Sequence, residues 1–287
     1  MGDGYVKVIA ASITWGTIGV FARWSGGDPV TLSFFRSLVA AAVFLFIFCC
    51  RDTPFPIIKG KSLLLACVSG VCKAAGMLLY FTAINLTTLC YTLFIFYLAP
   101  IIVVILTPLF LGEKLQKKSL TAVVLAFCGA LLMIFSSVEP AVPELNFKGI
   151  AFAFSGALCF SFTIMIAKML KEVSGLTLAF YQMLVASIIL IFVVDISLSL
   201  QGRVIIPVVM LGVFHTAFAY TIYYEGIKEI MVQHAGVLLY LDPVVASLLG
   251  FVVFREAVGT MGLLGGFLIA FAGIIVITGT GNSAHNS

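Results

Sequence analysis

Four ionisable side chains within long apolar runs of the sequence call for discussion: Arg36, Lys73, His215 and Asp242. In hydrocarbon each costs a few kcal/mol or more unless it is paired or hydrated, so each is a candidate for substrate or proton handling. Lys73 lies about eleven residues into its run, too deep for its stem to return the ammonium easily to an interface, and reads as cavity lining or as half of a buried pair. His215 sits at a similar depth and could exchange protons near neutral pH; a histidine among aromatics is also an ordinary hydrogen-bonded packing residue. Asp242, beside Pro243, could neutralise Lys73 or His215, or hold a substrate ammonium. Arg36 is nearer the end of its run, where snorkelling accounts for it and attraction of a carboxylate is the alternative.

Aromatic residues are the second class. Helical spacing aligns Lys73, Met77, Tyr80 and Ala83 or Ile84 on one face, and Thr216, Ala219, Tyr223 and Gly226 on another. Tyr91, Tyr97, Tyr240 and Trp15 could complete an apolar cavity with a few directed polar groups. The competing reading for each tyrosine is packing or an interfacial belt, and it is strongest for Tyr220 and Tyr224. Pro100 and Pro243, in the middle of apolar runs, are candidate hinges or gates, with static kinking as the alternative. Glu113 and Glu256 read as helix-end anchors. Gly129, Gly262, Gly265, Gly266 and Gly273 let helices approach closely, as a structural seam or the seam of a homodimer.

The elements that must position these residues follow from composition. Of 287 residues 62% are apolar and 10% charged, with mean hydropathy +1.21, against about 25% charge in a soluble domain. The runs are helix-length and lack the period-2 alternation of a barrel strand, so the chain reads as an all-α polytopic membrane protein. Ten segments result, near 5–22, 30–50, 62–83, 87–111, 119–137, 149–168, 176–199, 205–227, 232–254 and 260–279. Connections this short leave no room for a soluble domain. With a cytoplasmic N-terminus, Lys7, Arg51, Lys59, Lys61, Lys114, Lys117, Lys118, Lys168, Lys171 and Lys228 fall inside, and Arg23, Lys148, Arg203 and Arg255 outside. The positive-inside rule therefore predicts both termini in the cytoplasm, in a cytoplasmic (inner) membrane. The first apolar run reads as a retained helix, since no cleavage site follows it, and residues 282–287 read as a short disordered tail.

A shift of about 143 residues superposes two parts of the chain. Ala99-Pro100 with Glu113 falls on Asp242-Pro243 with Glu256, Tyr80 on Tyr223 and Ala83 on Gly226. A slightly larger shift aligns Ala126-Phe127-Cys128-Gly129 with Ala270-Phe271-Ala272-Gly273. The halves, 1–138 and 139–287, would each hold five helices, and an odd number makes the second half cross in the opposite sense. Such inverted repeats are a transporter plan, with substrate near the midplane and alternating access between the halves.

Trp15-Gly16, Phe35-Arg36, Leu79-Tyr80-Phe81-Thr82-Ala83, and Tyr97-Leu98-Ala99-Pro100 running to Phe110-Leu111-Gly112-Glu113-Lys114 resemble the EamA-type branch of the drug/metabolite transporter superfamily. The resemblance spans the chain and implies ten helices around a central cavity, with members moving amino acids, their derivatives and other small metabolites. Two departures mark the second half: Gln182 stands at the counterpart of Arg36, and Arg255 at that of Gly112.

The function expected is a secondary carrier for a small amphipathic metabolite, an amino acid or derivative above all, with export favoured. The alternatives are an organic-anion or phosphate-ester exchanger using Lys73, Arg36 and His215, and a non-transporting scaffold in which the polar residues pair with one another. The scattered net charge of +4 argues against nucleic acid. The seven cysteines form no zinc pattern and read as small buried side chains. The sequence has no phosphate-binding loop, zinc-protease motif or nucleophile elbow, so neither an enzyme, a metal nor a cofactor is expected. The partners are a small-molecule substrate and the lipid bilayer.

Overall fold

The computed structural model describes residues 2–50, 55–87, 89–136, 146–195 and 204–278. Arg51, Arg203, the boundary between the halves near 138 and the 282–287 tail lie outside them. All regular structure among the described residues is helical: α1 Asp3–Gly16, α2 Ile18–Ser25, α3 Pro29–Cys49, α4 Gly60–Leu86, α5 Leu89–Phe96, α6 Ala99–Leu111 and α7 Lys117–Ser136, then α8 Phe147–Met169, α9 Gly175–Leu190, α10 Ile205–Met210, α11 Ala219–Glu229, α12 Val232–Leu238, α13 Leu241–Phe254 and α14 Thr260–Thr278. A π-helical stretch, Leu211–Phe218, joins α10 to α11. Counting α1 with α2, α5 with α6, α10 with α11 and α12 with α13, nine spans are long and apolar enough to cross a membrane; α9 is a shorter apolar helix. It stops at Leu190, short of the expected end at 199, because the chain turns over 191–193.

Local chemistry sets the helix ends. Asp28 caps α3 by accepting from Thr31 N at 2.9 Å, with Pro29 at the first helical position, and Ser174 caps α9 by accepting from Thr177 N at 3.1 Å. Gly112 closes α6 in the left-handed region at φ 67°, and Arg255 closes α13 there at φ 58°. Close approach explains two glycines. A Cβ on Gly129 of α7 would lie 2.6 Å from Gly265 O of α14, and one on Gly16 of α1 would lie 2.8 Å from Asp242 O at the start of α13. The Gly129, Gly262 and Gly265 seam is thus used inside the chain, between α7 and α14, while Gly266 faces open space.

Ion pairs mark the two ends of the bundle. Lys7 of α1 reaches Glu229 at the end of α11 at 2.5 Å, and Lys168 of α8 pairs with Glu113 after α6 at 3.5 Å. At the opposite end Arg23 of α2 meets Glu256 after α13 at 2.5 Å. Helix α7 leaves from the Glu113 end and α14 runs antiparallel to it, with Gly129 beside Gly265 and Ser136 beside Gly262, so α14 finishes where α1 begins.

Four spans depart from regular α geometry in mid-course. The α1–α2 span breaks at Thr17, the α5–α6 span at Tyr97-Leu98 and the α12–α13 span at Leu239-Tyr240, and the α10–α11 span widens into the π stretch. Pro100 and Pro243 therefore sit in the first turn of a new helix, where a missing N–H is tolerated, and do not kink a continuous one. Irregular backbone at membrane depth has to be buried in protein or line a cavity.

Candidate substrate site

The residues singled out from the sequence gather at these breaks. Thr17, at the α1–α2 joint, approaches His215 Nε2 of the π stretch at 2.6 Å, and His215 Nδ1 lies 3.2 Å from Met210 O. Trp15, two residues before the joint, donates from Nε1 to His215 O at 2.9 Å. Its ring lies on Tyr220 and Tyr223, with centroids 4.8 and 5.1 Å away. Phe21 closes on His215 edge-on at 5.0 Å. The broken helix and the widened helix are thereby clamped together.

Tyr220 is the centre of the arrangement. Lys73 Nζ stands 3.4 Å from its ring centroid, inside cation–π range. The Arg36 guanidinium lies within side-chain hydrogen-bonding reach of its hydroxyl. Arg36 Nε is buried and has no partner among the described residues, and neither has the Tyr223 hydroxyl. Arg36 thus points inward beside Tyr220, against the expectation that it snorkels. The belt reading of Tyr220 and Tyr224 is also corrected: they are 8% and 1% exposed within the core.

Tyr97 and Tyr240, at the breaks of the α5–α6 and α12–α13 spans, face one another. Tyr240 donates from its hydroxyl to Tyr97 O at 2.6 Å, using a carbonyl that the break exposes, and the ring centroids are 6.0 Å apart. They are 143 residues apart, the shift found in the sequence. Tyr80 stacks edge-on against Phe96 at 5.0 Å. Asp242, in the first turn of α13, is close enough to act electrostatically on the hydroxyls of Tyr80, Tyr97 and Tyr220. Among the described residues no carboxylate lies within 4.0 Å of Arg36 or Lys73 and no cation within that distance of Asp242, so the expected pairing of Asp242 with Lys73 or His215 is absent. Tyr91 is half-buried near the start of α5, six residues before Tyr97. Pro100 packs under α12, 3.6 Å from where a Cβ on Gly236 would be, and Pro243 is buried beside Asp242.

Sequence reasoning missed Tyr220, Thr17 and Phe21. The helical wheel over 216–226 assumes 3.6 residues per turn, and the π stretch adds one, which rotates the following residues by roughly a quarter turn. Thr216 shows the same widening, since its hydroxyl donates five residues back, to Leu211 O at 2.8 Å. A buried amide network was missed as well: Gln182 donates to Ser69 Oγ at 2.6 Å and accepts from Tyr224 at 2.5 Å.

An all-helical bundle with nine apolar spans among the described residues defines an integral membrane protein. The family model described as the EamA-like transporter family matches residues 3–135 and again 147–279, and the chain belongs to that family of transporters. It is similar to an uncharacterized transporter of Archaeoglobus fulgidus, 29% identical over 276 residues that cover 95% of each chain. It is also similar to the uncharacterized transporter YxxF of Bacillus subtilis, 26% identical over 85% of this chain and 79% of the relative. One solved crystal structure superposes with a TM-score of 0.84 over 96% of this chain and 97% of the other at 19% identity, a likeness of fold.

Proposed function

We propose that this transporter is a secondary carrier that moves a small amphipathic metabolite, an amino acid or derivative, by alternating access, with export as the working direction. The observation that carries the reading is that Arg36, Lys73 and Asp242 lie within membrane spans around Tyr220 with no opposite charge within 4.0 Å among the described residues. Ions left this way cost several kcal/mol each. Aromatic walls with a few directed polar groups suit a ligand with an apolar side chain and charged ends. A scaffold would have let these charges neutralise one another.

The alternating-access plan rests on ten crossings in two inverted five-helix halves around a central cavity. Two successive matches to one family model support the duplication. The two ends of the described chain lie together at the Glu113 end, so the number of crossings is even and α9 is the tenth. At 16 residues α9 is about 24 Å long, close to the hydrocarbon thickness. The first half starts at the Glu113 end, and α8 starts at the other, since its last turn carries Lys168. Lys7, Lys59, Lys61, Lys114, Lys117, Lys118, Lys168, Lys171 and Lys228 belong to the Glu113 end, which supports a cytoplasmic location for it and for both termini.

Counterflow in proteoliposomes tests the reading: vesicles preloaded with unlabelled amino acids take up the tritiated compound faster than empty ones. Absence of counterflow with every amino acid and derivative tried would remove the substrate class. Labelling of single cysteines at Lys117 and Lys148 in intact cells tests the orientation, with only the second expected to react with an impermeant reagent.

A further inference from the structure

We propose that Tyr220 divides the site into two seats of opposite charge: an anion seat between Arg36 Nε and Lys73 Nζ, and a cation seat at Asp242 facing Tyr80 and Tyr97. The ligand class that fills both is a zwitterion with its carboxylate at the first seat and its ammonium at the second. This rests on the carrier reading above.

The anion seat is built from charges that nothing in the described protein neutralises. Lys73, 6% exposed, is held over one face of the Tyr220 ring at 3.4 Å. Arg36 reaches the hydroxyl of the same ring and keeps its buried Nε unpartnered. An arginine with Nε free presents the side-on fork that a carboxylate fills with two parallel hydrogen bonds. Lysine adds a compact charge with rotatable donors. Two cations beside one ring repel each other in a poorly screened interior, and an anion between them removes that repulsion. Trp15, packed against Tyr220 at a tilt with ring centroids 4.8 Å apart, keeps the divider in place.

The cation seat is at the break before α13. Asp242 has no cation within 4.0 Å among the described residues, and the hydroxyls of Tyr80, Tyr97 and Tyr220 lie within its electrostatic range. The break before α13 puts Asp242 in a first helical turn, where Pro243 offers no competing N–H. Arg36 and Lys73 come from the first family match and Asp242 from the second, so a zwitterion would bridge the halves.

The test uses tritiated leucine uptake by the full-length protein in liposomes, with leucine, leucinamide and N-acetyl-leucine as competitors. Each blocked compound lacks one charge and should compete about tenfold to a hundredfold less well than leucine. In Arg36→Gln or Lys73→Gln the advantage of leucine over leucinamide should vanish, while in Asp242→Asn its advantage over N-acetyl-leucine should vanish. Tyr220→Phe, which keeps the ring under Lys73 but loses the hydroxyl, should weaken discrimination against leucinamide and leave that against N-acetyl-leucine. Equal competition by all three compounds overturns the seats and leaves the carrier intact. If leucine and all other amino acids fail to enter, the carrier's substrate class falls, and melting of the purified protein decides the anion seat separately. There 4-methylpentanoate should stabilise the wild type and not Arg36→Gln; equal shifts in both overturn it.

Discussion

Matching positions of the two family-matched stretches carry different chemistry. The alignment of the halves read from the sequence pairs Arg36 with Gln182 and Lys73 with Thr216. Gln182 is locked between Ser69 and Tyr224, and Thr216 donates to a carbonyl of its own helix. Among the described residues Arg36 keeps a buried nitrogen unpartnered, and Lys73 lies over the face of Tyr220 with no carboxylate within 4.0 Å. One stretch has closed its polar positions on the protein while the other leaves them for something else. The ends of the bundle differ in the same way. Glu113–Lys168 is a partly buried pair in which Lys168 also donates to Ile227 O at 2.8 Å and Ile230 O at 2.6 Å, and Glu113 accepts from Val232 N at 3.3 Å. Its counterpart, Arg23–Glu256, is more than half exposed on both partners and gains only the Phe254 ring, 4.7 Å from the guanidinium. One end of the bundle is thus held by a network and the other by a single exposed pair.

Substitutions break or sharpen this contrast, and the largest effect is expected on transport. Lys73→Met should reduce uptake by about a hundredfold or more, because a charge that contacts the ligand is lost. Its melting temperature should hold or rise, since an unpaired buried cation is replaced by a fitting apolar chain. A variant that melts earlier would put Lys73 among the structural residues with Gln182. Lys168→Met should destabilise the protein by about 3 kcal/mol, read from denaturant unfolding in mixed micelles, because Glu113 and two carbonyls lose their donor. Gln182→Leu should cost about 1–3 kcal/mol by the same measurement, since the Tyr224 and Ser69 hydroxyls lose a partner. Arg255→Gly should gain roughly 0.5–1 kcal/mol, as glycine takes the left-handed region without strain. Arg23→Gln should stay within about 0.5 kcal/mol, as an exposed pair contributes little. A loss as large as that of Lys168→Met would mean that the two ends are held alike.

Much of the fold was legible in the sequence because its causes are local. Apolar run length set the helices, and Asp28 and Ser174 set the starts of α3 and α9. Tyr97 meets Tyr240, which lies 143 residues further along the chain. Arg255, a departure from its counterpart Gly112, nonetheless adopts the same left-handed cap. The prolines were found but misjudged, because a proline pattern does not distinguish a kink from the first turn of a new helix.

The sequence by itself determined that the chain is a helical membrane protein, where its spans lie and that ionisable groups, Arg36, Lys73, His215 and Asp242 among them, fall within them, because hydropathy and charge act residue by residue. Only the tertiary structure decided which of those groups are answered. The π stretch turns Tyr220 inward, the break at Thr17 brings His215 and Trp15 together, and packing of α3 and α4 around Tyr220 sets two cations on one ring. Such partnerships depend on the rotation and depth of helices far apart in the chain, and a change of one residue per turn is enough to redirect them.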